Sequence, residues 1–493
     1  MNFSQQLRAA IHANPEKPAM DFKGRVFTGG EIAGLADRTL ALLDAAGIEQ
    51  RASIGVVVRN KPLHAGAMLG LLTGDRWLTT VYAMQAPGSI AQELRDSRFA
   101  AVIADRIDWT PEVVAAAREC GTFGLVLDLE AAEPISVHPE LTQPGAGPFR
   151  TMDGEPGLEI LSSGTTGKPK RIVFPTRILV RMIDSVKVAN MGKAPPSILS
   201  WPYSGIGGMC DLVASPMLGR HVSLLERFNV DDWVEAVERL KPETVVGVPT
   251  IARMVLDAKV PRERLAGVKY FVGGSAPMPP ELQDEFEETY GIKVIWAYGA
   301  TEFCGTIISW TPDLHEQFRK TKAGAMGKAL PGIDLRVIDV ETGEILPPGR
   351  QGYLEALVPQ VRDEWISTTD LVEIDEDGFV FHRGRGDGAI VRGGHKVIPE
   401  KVGDCLRDHP AVLDAAVVGL PDRRLGAVPV AVVELKADVA AVDEAALKEH
   451  VRAALTTPQV PVAIRIVDRI PRTTSLKADL GAVRKMFEDQ LAG

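Results

Sequence analysis

The sequence predicts an α/β protein: a large N-terminal region of layered strands and helices with a small β subdomain, then a separate, smaller α+β C-terminal domain. Three observations predict it. From Arg220 onward, strand-like and helix-like runs alternate, the pattern of α/β layers built on parallel strands. Residues 327–355 read instead as short β-rich runs broken by Pro331-Gly332 and Pro347-Pro348-Gly349, which marks a smaller β unit. Past Gly384 the pattern changes again, over roughly a hundred residues, an ordinary domain size. The length of 493 residues itself exceeds what one core usually serves.

The elements follow in order. Residues 221–225 read as a strand. Val230, Trp233, Val234, Val237 and Leu240 fall at helical spacing, with Asn229 placed to cap the helix. Residues 244–248 and 270–272 read as strands. Leu282, Phe286 and Tyr290 form the apolar stripe of an acidic helix, and 293–297 is again strand-like. Gly273-Gly274-Ser275 and Tyr298-Gly299 therefore follow strands, where open α/β sheets hold their ligands. Leu335-Arg336-Val337-Ile338 and Gly352-Tyr353-Leu354-Glu355 are strands of the β unit. In the tail, 415–419, 428–435 and 464–467 read as strands, and Leu447, Val451 and Leu455 mark a helix.

Composition narrows the function. The chain is 45% hydrophobic and 24% charged, with formal net charge −10, so it is globular and nucleic acid is not an expected partner. Cys120, Cys210, Cys304 and Cys405 are scattered; they suggest neither a zinc site nor a disulfide framework, and reduced thiols in a cytoplasmic protein are expected. No run approaches the roughly 18 apolar residues of a membrane span, and the N-terminal segment does not read as a signal peptide.

One stretch carries the most chemistry. Residues 161–170 read LSSGTTGKPK. Ser162, Ser163, Thr165 and Thr166 offer hydroxyl donors. Gly164 and Gly167 let backbone N–H groups approach an anion, and Lys168 and Lys170 add positive charge. This is chemistry for holding a polyphosphate. It is not a Walker A loop, because Pro169 follows Gly167-Lys168.

The string resembles the phosphate-binding signature of the acyl-adenylate-forming superfamily: acyl-CoA synthetases, peptide-synthetase adenylation domains and luciferase-like enzymes. Further segments match that family in its order. Gly273-Gly274-Ser275-Ala276-Pro277 resembles the turn along which adenine lies, implicating Gly274, Ser275 and Ala276. In Tyr298-Gly299-Ala300-Thr301-Glu302, the resemblance implies that Tyr298 stacks on adenine, Thr301 contacts the α-phosphate and Glu302 holds Mg²⁺. Taken alone, Glu302 is an ordinary solvated carboxylate. Ser367-Thr368-Thr369-Asp370 resembles the ribose-binding motif, with Asp370 as acceptor and Thr369 where the family has glycine. The segment 358–364 is shorter than in the family. Arg385 matches an arginine that contacts ribose or phosphate, Asp387 the hinge, and Gly393-Gly394 the turn lining a pantetheine tunnel. Arg392 and Lys396 are basic residues beside that turn. Pro471-Arg472-Thr473-Thr474-Ser475-Leu476-Lys477 resembles the closing motif whose lysine, here Lys477, serves adenylation; Leu476 replaces its glycine. Weaker echoes lie at Phe27-Thr28, Asn60 and 67–87.

The resemblance implies an adenylating domain, 1–386, and a mobile lid domain, 387–493. ATP and Mg²⁺ are the implied cofactors, with CoA as co-substrate. The acid would lie against Tyr203, Ser204, Gly207, Gly208, Val248 and Phe303, an apolar set that suits an aryl or cyclic acid; Met209 is similarly apolar, and Asp211 is the one candidate partner for a substrate amine. The expected function is an AMP-forming acid ligase with CoA as acceptor. An amine or a carrier protein is the alternative acceptor, a non-catalytic nucleotide- or acyl-binding protein is the reading from another class, and a homodimer is compatible with all of them.

Overall fold

The computed structural model describes residues 1–161, 171–191, 193–386, 388–392, 395–422, 425–437, 439, 442–455, 457–473 and 476–488. These form two compact units, one up to residue 317 and one from 318 onward.

The first unit is built on a seven-stranded sheet that the alternation of residues after Arg220 does not reveal. Its strands lie in the order Ile135–Val137, Phe123–Leu127, Ala101–Asp105, Ser53–Val58, Trp77–Tyr82, Gly157–Leu161 and Arg171–Pro175. The inner strands are parallel and the two edge strands antiparallel. Ser53–Val58 is buried at every position, as is every residue of the following helix, Pro62–Thr73. A strand covered on both faces and a helix buried all round carry no polar face, so neither shows an alternating or helical stripe.

A second sheet of this unit contains the parallel strands Thr244–Gly247, Tyr270–Gly273 and Lys293–Ala300, with Gly305–Ser309 antiparallel to the last. These are the strands the alternation predicts. The helix Val230–Leu240 begins as expected, with the Asn229 side chain accepting the Asp232 N–H at 2.8 Å. A smaller sheet orders Ser197–Leu199, Val222–Leu224, Pro18–Phe22 and Arg25–Thr28.

Among its described residues, the second unit holds two sheets of its own. Asp334–Ile338, Gln351–Leu357, Trp365–Ile374 and Val380–Arg385 form an antiparallel meander. The other pairs Val412–Asp422 with Gly426–Leu435, which continues to Ala463–Val467 in parallel. Its alternation is two-sided. Ala415, Val417, Ala431 and Val433 pack with Val402, Leu406, Leu447 and Val451, whereas Ala416, Val418, Val430 and Val432 pack with Val483 and Phe487. A period of two with apolar residues on both faces demands helices on both sides, supplied by Pro399–Arg407 and Glu444–Ala454 on one face and Leu480–Glu488 on the other. Helix Pro399–Arg407 also packs on strand Val380–Arg385, which is why the meander clusters with the C-terminal residues.

Candidate active site

Two groups of predicted residues can be built up, one in each unit. In the first unit, the parallel strands Tyr270–Gly273 and Lys293–Ala300 deliver their carboxyl ends side by side. Gly274 follows the first. A Cβ there would lie 2.6 Å from the Ala297 carbonyl oxygen, so only glycine admits this approach. Ser275 then turns the chain with φ +67°, and the Trp296 indole N–H donates to the Ala276 carbonyl at 3.0 Å. Tyr298 and Gly299 close the second strand, and Thr301–Phe303 forms a single 3₁₀ turn. Tyr298 is half-buried, its ring 6.4 Å from that of Phe303. Thr301 is half-buried and Glu302 exposed.

That turn is held from the helix Val180–Ala189. Buried Arg181 donates from Nε to the Phe303 carbonyl at 2.8 Å and from Nη2 to the Thr306 carbonyl at 2.6 Å. The Ser185 hydroxyl accepts the Thr306 N–H at 3.0 Å. Burial lowers the Arg181 guanidinium from its ordinary value and pushes the neighbouring Cys304 thiol up to about 12. Both effects follow from burial behind the turn that carries the exposed Glu302.

Ser162, Ser163, Gly164, Thr165, Thr166, Gly167 and Lys168 lie outside the described residues, as do Asp387, Gly393 and Gly394. The stem of the 162–170 segment is described. Leu161 pairs with Arg171, and fully buried Glu159 accepts from Arg150 at 2.8 and 2.5 Å, Arg171 at 2.8 Å and Thr79 at 3.0 Å. Burial works against the Glu159 carboxylate, but Arg150, Arg171 and Thr79 together hold its pKa below the ordinary value.

Of the predicted acyl residues, Val248 precedes helix Pro249–Asp257, Phe303 ends the 301–303 turn, and Tyr203, Ser204, Gly207 and Gly208 sit on the loop before, and the first turn of, helix Ile206–Met217. Asn60 fixes that loop: its Nδ2 donates to the carbonyls of Trp201 at 2.9 Å and Leu225 at 3.3 Å, and its Oδ1 accepts the Tyr203 N–H at 2.9 Å. Tyr203, Met209, Val248 and Phe303 are buried, Ser204 and Gly207 half-buried, and Gly208 buried. Asp211 is an ion pair with buried Arg220 at 2.9 Å, so its carboxylate is committed to the core.

In the second unit, Asp370 and Arg385 are cross-strand partners at the end of the meander. Arg385 Nε lies 3.6 Å from Asp370 Oδ1, and its Nη2 donates to the Thr369 hydroxyl at 2.8 Å. Lys477, far away in sequence, is within electrostatic range of both: burial lowers its ammonium pKa, the Arg385 cation lowers it further, and the Asp370 carboxylate opposes both. The Thr473 N–H donates to the Lys477 carbonyl at 2.7 Å and the Leu476 N–H to the Thr473 carbonyl at 2.9 Å. Leu476 has φ +61°, the left-handed conformation that glycine adopts without cost. Arg392 is occupied by the Pro458 and Val460 carbonyls, each at 2.9 Å.

Asn60 appears in the sequence only as a faint echo. Arg181, Ser185 and Trp296 carry no sequence signal, because their work is to brace backbone that lies remote in the chain or on a neighbouring strand.

The AMP-binding enzyme family matches residues 7–361, and the AMP-binding enzyme C-terminal domain matches 401–477. The chain belongs to the AMP-binding enzyme family. It is 29% identical over 492 residues to a sulfoacetate–CoA ligase of Cupriavidus necator, covering 94% of this chain and 93% of that protein. It is 26% identical to a 2-succinylbenzoate–CoA ligase of Bacillus subtilis, covering 94% of each, and 27% identical to an indoleacetate–CoA ligase of Aromatoleum aromaticum, covering 98% and 97%. Its fold is similar to that of ATP-bound MatB from Rhodopseudomonas palustris, with TM-score 0.83 at 22% identity over 99% of this chain and 100% of that one.

Proposed function

We propose that the protein activates a carboxylic acid as its acyl-adenylate and then transfers the acyl group to CoA. The observation that carries the reading is that the two AMP-binding domain models match residues 7–361 and 401–477, the second ending at Lys477, which lies within electrostatic range of Asp370 and Arg385. A mobile cation delivered to a ribose-type acceptor and an arginine serves one purpose well: neutralising charge at the α-phosphate of a bound nucleotide. Full-length similarity to three CoA ligases that act on different acids supports the thiol acceptor.

In the first step a carboxylate oxygen attacks the α-phosphorus of ATP, and the bond to pyrophosphate breaks. Thr301 and Lys477 offer donors to the phosphate oxygens, Tyr298 and the Gly274–Ala276 turn hold the base, and Asp370 accepts from the ribose. The exposed Glu302 carboxylate fits a Mg²⁺ site, since that ion commonly takes one or two carboxylates and completes its shell with phosphate and water. The ion supplies charge neutralisation on the phosphates. In the second step the CoA sulfur attacks the acyl carbon and AMP leaves. The residues from 387 onward turn about Asp387 between the steps, withdrawing Lys477 and presenting Gly393-Gly394 to the thiol arm.

Tyr203, Val248 and Phe303 favour an apolar aryl or cyclic acid, and the commitment of Asp211 to Arg220 argues against a substrate ammonium group there. The test is a panel of acids with Mg·ATP alone, with CoA and with amines, read by mass spectrometry. AMP, pyrophosphate and an acyl-CoA are expected. ADP and phosphate would overturn adenylation, and an amide with no thioester would overturn the CoA reading alone.

A further inference from the structure

We propose, resting on the ATP-dependent reading above, that Thr369 is a positioning residue for the nucleotide: its hydroxyl fixes the Arg385 guanidinium beside the Asp370 carboxylate. The resembled motif has glycine at this position, which offers no such acceptor.

Thr369 lies on strand Trp365–Ile374, and Arg385 ends the neighbouring strand Val380–Arg385, with Asp370 as its Cα partner. Arg385 Nη2 donates to Thr369 Oγ1 at 2.8 Å while its Nε stands 3.6 Å from Asp370 Oδ1. The Gly386 N–H donates to the Thr369 carbonyl at 2.7 Å, so backbone and side chain of one residue hold both the arginine and the residue after it. Thr368 secures the other side: its hydroxyl accepts the Asp370 N–H at 3.2 Å and donates to the Leu354 carbonyl at 2.9 Å.

Charge explains why a neutral acceptor is useful here. The Arg385 side chain is 36% exposed at a strand end, where a long guanidinium has many rotamers to lose. Asp370 attracts it, but Asp370 also faces His382, whose Nε2 is 3.9 Å from Oδ1. Lys477 repels it, and Glu400, from helix Pro399–Arg407, attracts it from elsewhere. Two cations and a histidine thus share the carboxylates of Asp370 and Glu400. A threonine hydroxyl on a β-branched, χ1-restricted side chain holds the guanidinium in one place.

The test is calorimetric affinity of the full chain for Mg·ATP, with Thr369→Val, Thr369→Gly, Thr369→Ser, Arg385→Gln and the Thr369→Val/Arg385→Gln double variant. Loss of one hydrogen bond to a charged group predicts about tenfold weaker binding for Thr369→Val and Thr369→Gly. Thr369→Ser should return to within about twofold of the parent, and the double variant should bind no more weakly than Arg385→Gln, because coupled residues are not additive. A merely structural threonine gives neither serine rescue nor that coupling. If Thr369→Val fails to fold, the glycine and serine variants decide. Parent-like affinity in Thr369→Gly, or full additivity with Arg385→Gln, overturns the inference while leaving the ATP-dependent reading intact. Absence of Mg·ATP binding by the parent overturns both.

Discussion

Replacing Asn60 by alanine tests how the predicted acyl loop is held. Asn60 is 6% exposed and makes three hydrogen bonds, to the Trp201 carbonyl, the Leu225 carbonyl and the Tyr203 N–H. The Leu225 contact is the long one at 3.3 Å and counts for least. Alanine leaves two well-bonded backbone groups beside a buried Tyr203 without this partner. At about 1–3 kcal/mol for each orphaned buried group, less what a penetrating water returns, the loss is about 3 kcal/mol. Urea unfolding reads it, and KM for an accepted acid should rise more than KM for ATP, because Asn60 touches the 201–203 loop and not the adenine turns. Asn60→Asp sharpens the test. A carboxylate cannot donate to the two carbonyls, so its pKa is raised in the folded state, and the variant should be less stable at pH 7 than at pH 5, where protonation restores one donor. A loss under about 1 kcal/mol for Asn60→Ala, or an Asn60→Asp penalty independent of pH, would refute the reasoning.

Three other outcomes are expected. Gly299→Ala places a Cβ 2.3 Å from the Gly305 carbonyl oxygen, so the Lys293–Ala300 and Gly305–Ser309 strands must part; a loss of about 2 kcal/mol with severely reduced pyrophosphate exchange is expected, and wild-type exchange would show that the turn tolerates it. Lys477 has a lowered pKa through burial and Arg385 and must be charged to serve adenylation, so the alkaline limb of pyrophosphate exchange should fall below pH 10.5 and move upward in Lys477→Arg; an unmoved limb would assign it to another group. Burial opposes the Asp21 carboxylate, but His221, Arg239 and Ser223 lower its pKa to about 2. Its stabilisation, about 2 kcal/mol, is present above the unfolded value of 3.8 and is lost as pH falls through 2. Asp21→Asn should remove that component of acid sensitivity, and an unchanged acid profile would count against it.

The division between what sequence and tertiary structure each decide follows the physics of signal. The strands at 244–300 and the tail were legible because turns, caps and periodicity are local: Asn229 caps its helix where the apolar stripe begins, and alternation in 412–435 announces a sheet with two faces. The turns at 273–277 and 298–302 were legible as strings because close backbone approach admits few residues at Gly274 and Gly299. The seven-stranded sheet was not, since Ser53–Val58 and Pro62–Thr73 are buried on every side and local pattern vanishes where no face meets water. Nor was the bracing of the site. Arg181 serves carbonyls at 303 and 306, Asn60 a loop past 200, and Thr369 an arginine on the next strand, each a donor or acceptor whose partner is chosen only when the chain has folded. Sequence alone determined which groups the proposed site has to draw on. The tertiary structure decided which backbone each one holds still, because a hydrogen bond between remote residues exists only after packing has brought its two ends within 3 Å or so of each other.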